Sequence, residues 1–465
     1  MIPEDLLFTS IAELGDAYRS RALSPCELVD TLLDRISDMD ATLNSYVTVL
    51  EQSLREDARG AERRLRADTD TLPPLLGIPI SVKDNIATAG VRTTAGSRIL
   101  RDWVPDHDAP SVGRLREAGA LLVGKTNLFE FAYGEAHEDY GAVRNPWSLD
   151  RSTAGSSSGS AASVAGGLGW GSLATDTGGS IRVPAAFCGV VGLKPTFGAI
   201  PSAGMISTSW TVCHVGVIAR SVDDAARLFA AAAGRRSPER ADTDLRGVRL
   251  AMLGSQATEL VDQEIRAAVH AASDHFEEAG AILRPVGLPD LVLVRALLWT
   301  IASAEASDIH EERLRTHRDQ YHPTVRDRLE RGYDIPAPYY VRAQRVRQWL
   351  IEQVDQALTG FDALLLPTSP ILPYPLGARW VDVGGTEEET GQAVTRYTPL
   401  ASLTGRPAVS IPCGVSSSGL PISLQLVGHP NEEEVLLRVA AAYEKASGWN
   451  ERPRAITVPA GVRDA

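Results

Sequence analysis

The chain has 465 residues, 44% of them hydrophobic and 23% charged, with 40 Gly and 28 Pro. That mixture supplies a sizeable core and excludes disorder, and no linker, repeat or low-complexity tract divides it, so we expect one domain over 1–465. The formal net charge of −13 disfavours a surface that tracks phosphates, so neither DNA nor RNA is expected as a direct partner.

The opening MIPEDLLFTS lacks a basic stretch followed by an apolar one, and no apolar run reaches the length of a membrane span. Cytoplasmic residence without a membrane partner is the expectation. Ser10 with Glu13, and Ser24 with Pro25 and Glu27, set a capping hydroxyl three residues before a carboxylate, which predicts helices near 10–20 and 24–38. A β-leaning stretch at 46–50 and a charge-dense helix at 51–66 complete an N-terminal helical segment over 1–66.

Residues 76–82, LGIPISV, read as a buried strand that delivers Lys83 at its C-terminal end. A helix at 111–118 with Gly119 as its stop, then a strand at 120–123 ending at Gly124, give the strand–helix–strand order of an α/β fold with parallel neighbours. From 152 to 198 Gly, Ser and Ala dominate, as they do where backbone must approach backbone or ligand closely. Strands follow at 247–253, 281–286, 363–366, 408–411 and 421–427, alternating with helices near 262–279, 288–308, 338–359 and 431–446. Within the third of these helices the Arg-rich run 342–347 reads as a solvated face. Cys26, Cys188, Cys213 and Cys413 are scattered without metal-ligand spacing, so free thiols are expected and no metal.

A strand-end lysine in a tight site loses the water around its charge, which lowers its pKa from about 10.4 and lets a neutral amine accept a proton near pH 7. Lys83 stands in SVKDN, and downstream come AGSSSGSAASVA at 154–165 and TDTGGSIRVPAAFCGVVGLKPT at 175–196. Together these resemble the amidase signature: a Gly-Gly-Ser-Ser-Gly-Gly-Ser run, then Asp-x-Gly-Gly-Ser-x-Arg-x-Pro, with the lysine in a strand-end Val-Lys-Asp. GKTNLFEFAYG at 124–134, RNPW at 144–147, ARSVDDA at 219–225, LLLPTSP at 364–370, GRPAVSIP at 405–412 and GLPISLQLVG at 419–428 extend the resemblance over nearly the whole chain.

The resemblance implies a mixed central sheet surrounded by helices, with 76–200 as its signature core. It implies an amidase that hydrolyses an amide, anilide or carbamate, with Ser180 as nucleophile, Ser156 as the bridging serine after a cis peptide bond, and Lys83 as terminal base. Gly178 and Gly179 leave the backbone N–H groups of Thr177, Gly178, Gly179 and Ser180 able to converge on an oxyanion. Ser157, Asp176 and Arg182 match positions that support this geometry. Departures are Ala154 and Ser158, where glycine is common, and Cys213 and Val217, in a pattern that commonly reads Asp-x-x-Gly-Pro. A small amide-like substrate is expected, with no cofactor; whether the chain forms a homodimer stays open.

Two other readings use the same residues. GSSSG at 155–159 fits the nucleophile-elbow pattern around Ser157, with His214, His310 or His429 as base, but that elbow needs a buried strand upstream, where NPWSLDRST reads as a polar loop. GWGSLA at 169–174 follows a small-residue helical stretch rather than a strand, against a dinucleotide site. The glutamine-hydrolysing component of the tRNA-dependent amidotransferase shares the signature. Yet Thr395 stands where that component's pattern has the aspartate that contacts glutamine's ammonium. Phe129, Tyr133, Trp210 and Tyr397 are the expected pocket walls.

Overall fold

Both expected serine caps form. Ser10 and Ser24 each close a capping box, with Glu13 and Glu27, at the head of helices Ile11–Arg19 and Pro25–Leu43. The computed structural model describes residues 4–67, 72–236, 244–254 and 260–454. Among these, no helix is long and apolar enough to cross a membrane.

The expected mixed sheet is an 11-stranded one. From edge to edge it runs Tyr46–Val49, Leu121–Thr126, Pro79–Lys83, Gly171–Asp176, His214–Ala219, Val191–Lys194, Ala408–Val415, Pro421–Val427, Ala363–Pro367, Arg249–Leu253 and Ile282–Val286. Pro79–Lys83 lies parallel to both its neighbours, whereas His214–Ala219 runs antiparallel to Gly171–Asp176. Helices cover the sheet, and one apolar core continues from Leu7 through the strands to Tyr443.

Several outlines differ from expectation for local reasons. The strand expected to stop at Gly124 runs on to Thr126, because the missing side chain lets the Thr48 carbonyl approach. The helix expected to end near 308 continues to His317, with His310 and Leu314 still packed inward. Residues read as a polar loop at 145–153 contain the short antiparallel pair Arg144–Asn145 and Ser148–Ser152, apart from the main sheet.

The topology fixes the site. Parallel neighbours end at the same side of a sheet, so Lys83 and the turn that follows Asp176 emerge together, with Val82 in register with Leu173. Helix Ser158–Ala165, every residue of it buried, packs on these strands by virtue of its small side chains. At Gly159 the contact is backbone on backbone: the N–H donates to Asn127 O at 3.0 Å, and a Cβ would lie 2.6 Å from Asn127 N. Gly159→Ala should therefore destabilise the protein by about 1–3 kcal/mol through overpacking, read as a lower urea midpoint. An unchanged midpoint would contradict this packing.

Candidate active site

Lys83 closes its strand fully buried. Its Nζ lies 2.8 Å from Ser156 Oγ, 2.8 Å from Thr175 Oγ1 and 3.4 Å from the Thr175 carbonyl. Burial is the largest influence on the amine and lowers its pKa to about 7, against the opposing pull of Asp176 and, behind it, Cys213. Three oxygen neighbours suit both protonation states: an ammonium can donate to all of them, and a neutral amine can donate to two and accept from Ser156.

Asp176 could have been the lysine's counter-ion, but it is held elsewhere. Its carboxylate takes Arg182 at 3.0 and 3.1 Å and the N–H groups of Gly179 and Ile181 at 2.8 and 3.1 Å. Burial alone would raise its pKa; Arg182 outweighs that and holds the carboxyl well below the usual range. Arg182 also donates to Thr398 O, Gln425 Oε1 and Ser402 Oγ, tying the turn to the far half of the chain.

The 177–180 turn is shaped by that clamp. Gly179 has φ +128 and backs onto Thr398, whose hydroxyl donates to Gly178 O at 2.5 Å, so no side chain fits there. Of the four N–H groups expected to face an oxyanion, that of Gly179 is committed to Asp176, which corrects that expectation; those of Gly178 and Ser180 meet no protein acceptor among the described residues. The Ser157 N–H donates to Ser180 O at 3.1 Å, and the Ser157 hydroxyl to Thr175 O at 3.1 Å, which fastens the two serine segments together. The peptide bond Gly155–Ser156 is cis.

Ser156, Thr177, Gly178 and half-buried Ser180 open onto a cavity of about 590 Å³. Phe129, Tyr133, Leu298 and Trp299 form an apolar wall; Arg328, Glu389 and Thr395 lie on the polar side. Arg328 sits over the Trp299 ring, 5.8 Å from its centroid, with Glu389 at 4.0 Å, and its guanidinium donates no hydrogen bond among the described residues. Thr395 donates its hydroxyl to Gly391 O at 2.9 Å.

Two expected wall residues are elsewhere. Trp210 is 52% exposed and outside the cavity, and Tyr397 is fully buried in the core. An aromatic residue in a loop carries the same signal in sequence whichever way it turns. Of the departures from the signature, Cys213 and Val217 do not line the cavity: Cys213 sits behind Thr177, against its hydroxyl, and Val217 is inside the sheet. Ala154 is at φ +54, which explains why glycine is common there, while Ser158 opens its helix without strain. Ser157 does not line the cavity, and His214, His310 and His429 bond to Val212 O, Tyr321 and Phe361 O, so the elbow reading has no base. Sequence reasoning missed Thr175, although it stands in the TDTGGS motif, and Arg328, which no motif marks.

Residues 27–437 match the model of the family described as Amidase. The glutamyl-tRNA(Gln) amidotransferase A component of Symbiobacterium thermophilum is 36% identical, over 97% of this chain and 99% of its own length. A solved structure described as a vestigial protein complex that reveals the evolutionary origins of an s-triazine catabolic enzyme superposes with TM-score 0.88 at 32% identity, covering 96% of this chain and 100% of its own. Native peptide amidase from Stenotrophomonas maltophilia gives TM-score 0.82 at 31% identity, covering 97% and 99%.

The Asp176–Arg182 pair generates a stability prediction. Asp176→Asn leaves Arg182 buried without its counter-charge, which should cost about 3–5 kcal/mol in urea unfolding. A loss below about 1 kcal/mol, the scale of an exposed pair, would show that the clamp does not hold the turn.

Proposed function

The chain belongs to the amidase family, and from that premise we propose that it hydrolyses the C–N bond beside a carbonyl in a small amide-like substrate, acting as a single catalytic unit. The observation that carries this reading is the hydrogen bond from a desolvated Lys83 to Ser156, directly beneath the cavity that Ser180 lines.

In this reading Ser180 Oγ attacks the carbonyl carbon. Its proton passes to Ser156 Oγ as the Ser156 proton moves to neutral Lys83, and the N–H groups of Gly178 and Ser180 receive the oxyanion. Collapse breaks the C–N bond while Lys83 returns a proton through Ser156 to the departing nitrogen. Water then attacks the Ser180 ester by the same relay, releasing the carboxylic acid and restoring the serine. No histidine takes part.

Arg328 and Thr395 narrow the substrate. A guanidinium that faces the cavity with no hydrogen bond to the protein among the described residues, and only a 4.0 Å ion pair to Glu389, has donors for a carboxylate at the substrate's far end. At position 395 a neutral hydroxyl bonded to its own helix offers no counter-charge to an ammonium. Amides, anilides or carbamates bearing a carboxylate and no α-ammonium fit best.

A second reading is the one the full-length similarities favour, since relative after relative is the glutamyl-tRNA(Gln) amidotransferase A component. There the chain would release ammonia from glutamine for transfer within an assembly that modifies glutamyl-tRNA, and the expectation of no nucleic-acid partner would hold only for direct contact. Thr395 argues against it, because position 395 supplies no carboxylate for free glutamine's ammonium; Glu389, on the same side of the cavity, is the acid that could take its place.

Two experiments follow. Purified alone, the chain should turn over a monoamide of a short dicarboxylic acid and leave glutamine largely untouched; glutamine hydrolysis that appears only with partner proteins would reverse the choice. The second concerns pH. A base with pKa about 7 is neutral, and competent, above that value, so kcat/KM should fall about tenfold per pH unit below it. Lys83→Arg, unable to accept a proton, should lose about 10²–10⁴-fold. An active arginine variant would show that only positive charge is needed there.

A further inference from the structure

Segment 129–137 does more than wall the cavity. Phe131 and Ala132 both adopt left-handed backbone, at φ +50 and +58, a conformation each side chain resists unless its surroundings over-determine it. This turn sends Phe129 and Tyr133 into the cavity and Glu130, Phe131 and His137 the other way, onto residues 320–322.

The grip has three points. Glu130, fully buried, accepts the His322 N–H at 2.8 Å and the Ser97 hydroxyl at 2.6 Å. His137 accepts the Asp139 N–H on Nδ1, so Nε2 carries the proton and donates to Gln320 O at 3.2 Å. The Phe131 ring lies 5.5 Å from that of Tyr321, whose hydroxyl bonds His310 at 2.8 Å.

Immediately after these residues comes helix Pro323–Arg331. Val325 and Leu329 are buried, while Thr324 and Arg328, likewise four apart and on the adjoining stripe of the helix, line the cavity. Gly134, at φ +113, lies against the same helix; a Cβ there would stand 3.2 Å from Val325 and 3.6 Å from the Arg328 guanidinium. Helix 323–331 is short and polar outside; its later turns are anchored by Ser307 Oγ on Leu329 O and by Leu329 among Ala306 and Leu314, and its first turn is held by the contacts from 129–137.

We infer that 129–137 is a two-sided element: one face walls the cavity, and the other, centred on Glu130, fixes helix Pro323–Arg331 and so aims Arg328 at the substrate's carboxylate. Glu130 is then a positioning residue for substrate selectivity, remote from the reacting bond. The inference rests on the reading of Arg328 given above, and the test separates the two.

Wild type, Glu130→Gln, Arg328→Met and the double variant are assayed on the monoamide of a short dicarboxylic acid and on a neutral primary amide of matched length. Amide hydrogen exchange over 323–331 is measured on all four. In Glu130→Gln the amide oxygen can still accept from the His322 N–H while its NH2 donates to Ser97 Oγ, so the clamp weakens from a charge-assisted to a neutral one without a change in volume. Arg328→Met should lower kcat/KM on the carboxylate substrate about 100-fold, and on the neutral one by far less. Glu130→Gln should lose about 10-fold on the carboxylate substrate alone, through KM, and 323–331 should exchange faster. The double variant should be no worse than Arg328→Met. Should Glu130→Gln fail to fold, Ser97→Ala, which removes one donor to the same carboxylate, should shift selectivity and exchange in the same direction. Equal losses on both substrates, additive effects, or unchanged exchange over 323–331 would overturn the inference. An Arg328→Met variant that does not discriminate would sink the carboxylate reading, and the exchange data, which need no turnover, would then judge the clamp.

Discussion

A lysine amine buried from solvent, with no carboxylate of its own, is the constraint from which the site follows. Lys83 lies within reach of the field of Asp176, which alone would keep it charged. The Asp176 carboxylate is taken by Arg182 and two backbone N–H groups, so the charge nearest the lysine is already compensated. Burial then prevails, and the amine sits near the pKa a base needs. The same ion pair shapes the 177–180 turn, so one interaction both sets the surroundings of the Lys83 amine and holds the segment that carries Ser180.

The sheet makes this possible by placing two parallel strand ends side by side. Lys83 and Asp176 terminate adjacent strands, and small side chains on helix Ser158–Ala165 let a third segment, carrying Ser156 and Ser157, lie directly on them. Bulk at Gly159 or Gly179 would force the serine segments apart. Chemistry here depends on close backbone approach as much as on the reactive groups.

Legibility from sequence tracked locality. Lys83, Ser156 and Ser180, the groups proposed to act, could be singled out because a strand pattern and two contiguous motifs carry them, and the serine caps of the first two helices needed only four residues each. Strand Gly171–Asp176 was opaque: buried on both faces and made of small residues, it shows neither alternation nor an apolar run. Arg328 stands in VRDRLERG, which reads as a solvated helix; its direction is set by contacts remote in sequence, among them those from Glu130 and His137 some 190 residues away. Trp210 and Tyr397 failed for the converse reason, since their aromatic character does not say whether surface, core or cavity receives them.

The central claim is that Ser180 is a nucleophile activated through Ser156 by a neutral Lys83. Labelling with a serine-directed phosphonate across a pH series, followed by peptide mapping, addresses it most directly. The account predicts a single adduct on Ser180, forming more slowly as pH falls below about 7 and lost in Lys83→Ala. An adduct on Ser157, or labelling undiminished by Lys83→Ala, would contradict it.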